Sequence, residues 1–394
     1  MRNGTTELDR FTLPSRDGDE TSEVVPVIEA GGMRRSVEVE YWVVDTDGTL
    51  TGPGDLVSAS PGVEREFVEP LLEIKTTPCS SSDELRGELL DRLEAVLDRA
   101  EDLGKRLVPL ATPVRADEIA EIPSERTRIQ NEIVGEDFQY VRHCAGTHVH
   151  FEQQPGHTVD QFNVLVALDP AFAAVNSSPY FRGRRLAAGA RSKLYRDMAY
   201  DTVPHQGKLW RYLADQREWA RRLERRYEEF LTAASEAGVD RSAVYRHFDP
   251  ESAIWTPVQL RDRFGTVEWR SPDTALPSQV LRLADDLVGV VERAVDTEVR
   301  IGGNRGYRTE TETVLPEFDT VVEHVDGSIR RGLESDTVRT YLDRMGIDPD
   351  AYEPITTRFD QRGRITEASA RRLRLEYADR LEADVRSRSA LRAD

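Results

Sequence analysis

The chain is 394 residues long, with 38% apolar residues including 12 Phe, 12 Tyr and 5 Trp, enough for a substantial core. Its 72 acidic and 53 basic residues leave a formal net charge of −19, which repels nucleic acid and anionic membranes and excludes both as partners. No apolar run reaches the 18 uncharged residues of a membrane span, so a soluble, cytoplasmic enzyme or binding protein is expected.

In chain order, the opening MRNGTTELDRF lacks the apolar stretch of a signal peptide, and residues 1–34 read as a loosely structured lead-in. From Arg35 to Val44, RSVEVEYWVV alternates Val37 and Val39 with Glu38 and Glu40, the two-residue period of a strand. Asp47-Gly48 begins a turn, and Glu69 to Lys75 makes a second strand in which Leu72 and Ile74 face away from Glu73. Cys79 and Cys144 make neither a disulfide framework nor a metal set, and read as buried thiols. Serines 80–82, followed by Asp83 and Glu84, open a helix over 83–104 whose leucines Leu85, Leu89 and Leu93 share one face. A helix is predicted over 125–141, a strand over 144–151 (CAGTHVHF) and an apolar helix over 158–174, ended by Asn176-Ser177-Ser178-Pro179. Further helices are predicted at 208–236 and 278–298, with a strand at 264–270 (FGTVEWR) between them. Residues 311–345 and 366–391 have helical spacing, so the last hundred residues are expected to be helical. This order predicts an α+β fold, a largely antiparallel sheet with helices on one face. Residues 35–394 read as a single catalytic domain with a helical C-terminal part from about 311.

Four of the strands bring polar groups out between large apolar residues. Glu38 and Glu40 are two apart and point the same way. Glu73 lies between Leu72 and Ile74, and His148 and His150 flank Val149. Glu268 lies between Val267 and Trp269, with Arg270 on its own face. One such pair alone is more often a solvated sheet face; four strands with the same arrangement favour a shared site. Clustered carboxylates repel and need counter-charge from metal or buried arginine, and an oxygen-rich donor set suits magnesium or manganese. The histidine pair by itself would suit zinc, yet the acids outnumber the imidazoles. Arg182, Arg184, Arg185, Arg191 and Lys193, in SPYFRGRRLAAGARSKLY, form a basic cluster suited to gripping phosphoryl or carboxylate groups. Ordinary ion pairing in an Arg-rich chain is the competing reading for each of them. The acid excess, spread along helices, fits a high-salt cytoplasm in which salt screens self-repulsion; an ordinary acidic cytosolic protein is the alternative.

Six segments then stand in a telling order: VEVEYWVVD at 37–45, EPLLEIKTTPC at 69–79, ERTRIQNEIVG at 125–135, GTHVHF at 146–151, NSSPYFRGR at 176–184 and VEWRSPD at 267–273. Through them the chain resembles the glutamate–cysteine ligase superfamily, especially its YbdK-like carboxylate–amine ligase branch. The resemblance implies a catalytic sheet of the glutamine synthetase type, with metal-binding acids projecting from adjacent antiparallel strands. On that basis Glu38, Glu40, Glu73, His148 and Glu268 would surround Mg²⁺, or Mn²⁺, and the phosphates of ATP. Glu38, Glu40 and Arg270 would serve catalysis, with Arg270 on the phosphate side, and Arg126 would belong to the substrate and phosphate environment. Arg182, Arg184, Arg191 and Lys193 are carried as candidates for contact with ATP. His150 matches the branch's second histidine, and its part as a ligand stays open.

The implied reaction uses glutamate, cysteine and ATP. The γ-carboxylate of glutamate attacks the γ-phosphorus of ATP, and the cysteine amine then displaces phosphate from the γ-glutamyl phosphate. Two features depart from the common pattern. Ser36 stands where a glycine often precedes the first acid. VEWRSPD is closer to the glutamate–cysteine ligase version, which together with a high-salt host tilts the acceptor toward cysteine; a different acceptor amine is the alternative.

Overall fold

The alternation read at Arg35–Val44 becomes the central strand of the molecule, β1 (Arg35–Asp45). The computed structural model describes residues 32–359 and 363–393, which belong to one unit, Gly32–Asp394. Most of the expected lead-in, residues 1–31, lies outside the described residues, and 32–34 run directly into β1.

After β1 come β2 (Val63–Arg65), β3 (Leu71–Lys75), helix α1 (Ser82–Asp102) and β4 (Lys105–Val108). Helices α2 (Glu125–Val134) and α3 (Phe138–Arg142) lead into β5 (Thr147–Glu152) and α4 (Thr158–Ala167). The hairpin of β6 (Tyr180–Phe181) and β7 (Arg184–Arg185) precedes α5 (Ala190–Lys193) and one turn of π-helix, Leu194–Met198. Next are α6 (Gln216–Glu236), α7 (Arg241–His247), α8 (Pro250–Ala253) and the hairpin of β8 (Val258–Arg261) and β9 (Thr266–Trp269). The chain ends with α9 (Pro277–Asp296), strands β10 (Glu298–Ile301), β11 (Tyr307–Arg308) and β12 (Glu312–Leu315), then α10 (Phe318–Arg331), α11 (Asp336–Met345) and α12 (Glu367–Ala393).

The main sheet has seven strands, ordered β2-β3-β1-β5-β9-β8, with β4 also paired to β1. Every pairing within it is antiparallel. Strand β3 takes one edge of β1, while β5 and then β4 share the other, at Arg35–Val39 and Trp42–Asp45. On one face Val37, Val39, Tyr41 and Val43 join the large core formed with α1, α4 and α9. The opposite face begins with Glu38 and Glu40 and continues with Trp42 and Val44, which are buried in a second apolar cluster with Tyr377 and Ala378 of α12. Helices therefore do not keep to one face. Two large apolar side chains beyond the glutamates need cover, and α12 supplies it.

Three further differences have local causes. The helix expected over 158–174 stops at Ala167 and continues as a 3₁₀ segment, Asp169–Val175, because Pro170 cannot donate the helical bond. The helix expected over 125–141 breaks at Gly135, which adopts a positive φ of 75°. Residues 298–315 hold a small separate sheet, β10-β12-β11, where the C-terminal region was expected to be helical. Its strands have two to four residues each and β10 is mostly exposed, too short for an alternation to stand out. Among the described residues no helix is long and apolar enough to cross a membrane.

Helix α1 anchors the large core through Leu85, Leu89, Leu90 and Leu93, all fully buried. Leu93→Ala should lower the unfolding free energy by about 3 kcal/mol, read as a shifted denaturant midpoint with an unchanged slope.

Candidate functional site

Antiparallel register assembles the polar groups. Glu38 stands opposite Lys75 on β3 and His148 on β5, Glu40 stands opposite Glu73, and His150 opposite Glu268. Directly paired residues point to the same face, so these side chains meet on the side of the sheet away from α1. They line a cavity of about 440 Å³. Its other walls come from α2 and α3, Tyr195 of the π-turn, the segment Glu251–Trp255, and Phe264 at the tip of the β8–β9 hairpin.

Within the cavity His148 Nδ1 lies 3.2 Å from Glu38 Oε2 and 3.4 Å from Glu268 Oε1. His150 Nε2 lies 3.7 Å from both Glu38 Oε1 and Glu268 Oε1 and, though buried, has no hydrogen-bond partner. Its Nδ1 is held by the Thr266 hydroxyl at 3.2 Å. Arg261 Nη1 pairs with Glu268 Oε2 at 2.9 Å, and Arg270 Nε lies 3.3 Å from Glu268 Oε1 while its Nη1 donates to Gln259. Lys75 Nζ pairs with Glu73 at 2.8 Å.

These contacts divide the carboxylates into two groups. Burial pushes Glu38 up, but the His148 hydrogen bond and the nearby His150 imidazole outweigh it and hold the carboxyl well below its ordinary range. Burial and the nearby Arg270 push His148 down to about 4, so at neutral pH a hydrogen bond rather than imidazolium charge keeps Glu38 ionised. Glu268 resists burial in the same way, drawn down to about 2 chiefly by Arg270. The second group behaves oppositely. Glu40 is pushed up to about 7 by burial and by Glu73, against the pull of Arg191. Burial and Glu40 push Glu66 up to about 8, while burial with Glu66 and Glu38 raises Glu73 well above the usual carboxylate range.

Among the described residues, three overlapping sets could hold a metal ion: Glu38, Glu73 and His148; Glu38, His150 and Glu268; and Glu40, Glu66 and Glu73. Each set draws its donor atoms within 4.8 Å of one another. Two contain a single imidazole and the third contains carboxylates alone, a donor chemistry that suits hard divalent ions such as magnesium or manganese. The unpartnered His150 Nε2 and the crowded Glu40, Glu66 and Glu73 carboxyls are what such ions would satisfy.

The family model for Glutamate-cysteine ligase family 2 (GCS2) matches residues 23–368. The chain belongs to this family. A glutamate–cysteine ligase of Haloferax volcanii is 25% identical over 347 residues, covering 79% of this chain and 86% of the relative. The crystal structure of a bifunctional glutathione synthetase from Pasteurella multocida shares the fold, with a TM-score of 0.52 at 14% identity. That alignment covers 90% of this chain and 52% of the other, so the chain spans about half of the longer protein. The chemistry of this GCS2 protein is ATP-dependent ligation of a carboxylate to an amine.

Of the residues named from sequence, Glu38, Glu40, Glu73, His148, His150, Glu268, Arg270 and Arg126 all line the cavity. Arg126 does so with both Nη atoms already donating to the carbonyls of His247 and Ser252, tying α2 to α7 and α8. The basic run does not converge there. Arg182 sits at the β6–β7 turn and donates to Gln139, Arg184 is exposed, and Lys193 pairs with Asp197. Arg191 is buried behind Arg270, bonded to backbone carbonyls. A hairpin and a helical turn carry these residues, so nearness in sequence scatters them in space. Sequence reasoning passed over Glu66, Lys75, Glu251 and Arg261, together with Tyr195 and Trp255, whose rings stack at 4.3 Å. Lys75 was readable, two residues beyond Glu73 on the same strand face. Arg261 was hidden because β8 was not recognised as a strand.

The raised carboxyls set a pH dependence. In the ion-free protein Glu40 and Glu66 keep protons until about pH 7 to 8, whereas unfolded Glu releases them near 4.5. The folded state thus binds more protons across that window, and stability falls as pH rises through it. The melting temperature of ion-free protein should decline from pH 5 to pH 8, and saturating Mg²⁺ or Mn²⁺ should flatten the decline. Divalent-ion affinity should rise over the same interval, with proton release detectable by calorimetry in buffers of different ionisation enthalpy.

Proposed function

We propose that this protein joins the γ-carboxylate of glutamate to the amine of cysteine at the expense of ATP, with residues 35–394 as the catalytic domain. The observation carrying this reading is the convergence of three oxygen-rich donor sets and the Arg261–Glu268–Arg270 group on one cavity. A glutamate carboxylate oxygen attacks the γ-phosphorus of ATP, the bridging P–O bond breaks and ADP leaves. The unprotonated cysteine amine then attacks the acyl carbon; the C–O bond to phosphate breaks, and a proton leaves the nitrogen as the amide forms.

Glu38, Glu73, His148 and Glu268 would hold the ions, joined by Glu40 and Glu66, with His150 completing the second set. Bound divalent ions supply charge neutralisation for the triphosphate. Arg270, fixed by Glu268 and Gln259, directs positive charge where the transferring phosphoryl group gathers negative charge. The motif set supports a place in the YbdK-like branch, and the −19 net charge supports work in a salt-rich cytoplasm.

A second acceptor class is favoured by a specific feature. Phe67, Phe138, Tyr195, Tyr200 and Trp255 line the cavity beside Arg270 and the Glu40 group. Such walls also suit an amine with an apolar or aromatic side chain.

Purified protein in molar KCl with Mg-ATP and glutamate should release phosphate faster when cysteine is added, with γ-glutamylcysteine identified by mass. Turnover with another amine but not cysteine would move the assignment to that acceptor, and no ATP turnover with any amine would remove the proposed reaction. Glu38→Gln and Glu268→Gln should each lower kcat by about 100-fold or more while leaving the circular dichroism spectrum unchanged.

A further inference from the structure

The ladder of β9 ends at Trp269, one residue before Arg270. The Arg270 amide still reaches the Pro257 carbonyl at 2.8 Å. Its own carbonyl and that of the buried Ser271 fall in the break between this ladder and the Gly146–Asp273 bridge, where the Thr147 amide donates instead to the Pro272 carbonyl at 2.9 Å. Buried carbonyls left unmatched would loosen this stretch.

Arg191 fills this break in the pairing. Its Nη1 donates to the carbonyls of Arg270 at 3.2 Å and Ser271 at 3.0 Å, and its Nη2 donates to the Arg270 carbonyl at 3.2 Å. The guanidinium is only 2% exposed and lies against Gly146, where a β-carbon would come within 2.2 Å of it. Beside it, Arg196 Nη2 reaches the Ser271 hydroxyl at 2.9 Å and Asp169 Oδ2 at 2.8 Å. Asp169, fully buried, accepts from the Ser271 hydroxyl and, at 2.9 Å, from the Trp269 indole. Residues 269–271 are thus held by two buried arginines and an aspartate, none of which lines the cavity.

The local helix geometry makes this grip possible. Residues five apart on an α-helix point about 140° away from each other. The π-turn Leu194–Met198, with its i→i+5 bonding, brings Arg191 and Arg196 back toward the same strand. The same turn places the Tyr195 ring on the cavity wall, stacked on Trp255 and covered by the Arg191 guanidinium at 5.1 Å.

We infer that Arg191 is a positioning residue that acts through Arg270, assisted by the Asp169–Arg196 pair and the π-turn that aligns them. Its bonds fix the backbone from which Arg270 enters the cavity, so it governs transition-state alignment and makes no contact with nucleotide. This inference rests on the placing of Arg270 at the transferring phosphoryl group.

A double-mutant cycle tests it, read as glutamate-dependent phosphate release both with and without an acceptor amine, so that a wrong acceptor does not obscure the result. Arg191→Lys should lower kcat by about 10- to 100-fold and leave the KM for ATP within about threefold. In an Arg270→Lys background the same change should cost less than about twofold more, because the group it positions has already been altered. Ser271→Ala, which removes only the anchoring hydroxyl, should show a smaller kcat loss with the same dependence on Arg270, and it decides the matter if Arg191→Lys fails to fold. Losses that multiply in both cycles would overturn the inference, as would a tenfold rise in the KM for ATP with kcat unchanged, the pattern of a direct phosphate ligand. Wild-type protein that releases no phosphate with glutamate would overturn the proposed reaction itself and this inference with it.

Discussion

Six carboxylates, Glu38, Glu40, Glu66, Glu73, Glu251 and Glu268, share one cavity with four cationic side chains, Lys75, Arg126, Arg261 and Arg270. Like charges at this spacing, withdrawn from water, cannot all ionise without compensation. The structure answers by division. Around Glu38 and Glu268, the His148 hydrogen bond and the arginines hold the carboxyls ionised, while burial, reinforced by mutual repulsion, raises Glu40, Glu66 and Glu73. A cavity so arranged has a standing demand for cations, and that demand connects its electrostatics to ATP-dependent chemistry.

The surrounding architecture serves this arrangement. Antiparallel pairing sets Glu38 beside His148 and Glu40 beside Glu73, without any loop having to choose its conformation. The β8–β9 hairpin carries Arg261, Glu268 and the residue leading to Arg270 in one rigid unit. Beyond the glutamates, the same face turns apolar at Trp42, whose indole donates to the Leu110 carbonyl at 2.8 Å and which α12 covers. Polar site and apolar seal follow one another along a single strand.

Much of this was legible because a strand converts spacing into direction. The two-residue period of VEVE, LLEIK and THVHF told which residues would share a face, and six ordered motifs told which strands belonged together. Spacing says nothing about residues separated by turns, and there the reading gave out. Arg182, Arg184 and Lys193 sit close together in the chain yet point into different surroundings, because a hairpin and a helical turn separate them. Arg261 was invisible because VQLR, although it alternates, is only four residues long. The small sheet at 298–315 was missed for the same reason, its strands being too brief to establish a period. Pro170 is by contrast a local signal in the sequence, since a proline inside an apolar helical run ends the helical bonding there.

β1 is flanked on both edges, and its two faces have opposite needs: Val37, Val39 and Tyr41 enter the large core, while Glu38 and Glu40 face the cavity. A slip of one residue would reverse every side chain, driving two carboxylates into the hydrocarbon interior and leaving valines among the polar groups. The strand therefore carries its own proofreading. A chain that pairs β1 wrongly cannot settle into a stable but inactive imitation of the native state, so correct folding and a correctly assembled cavity become a single event.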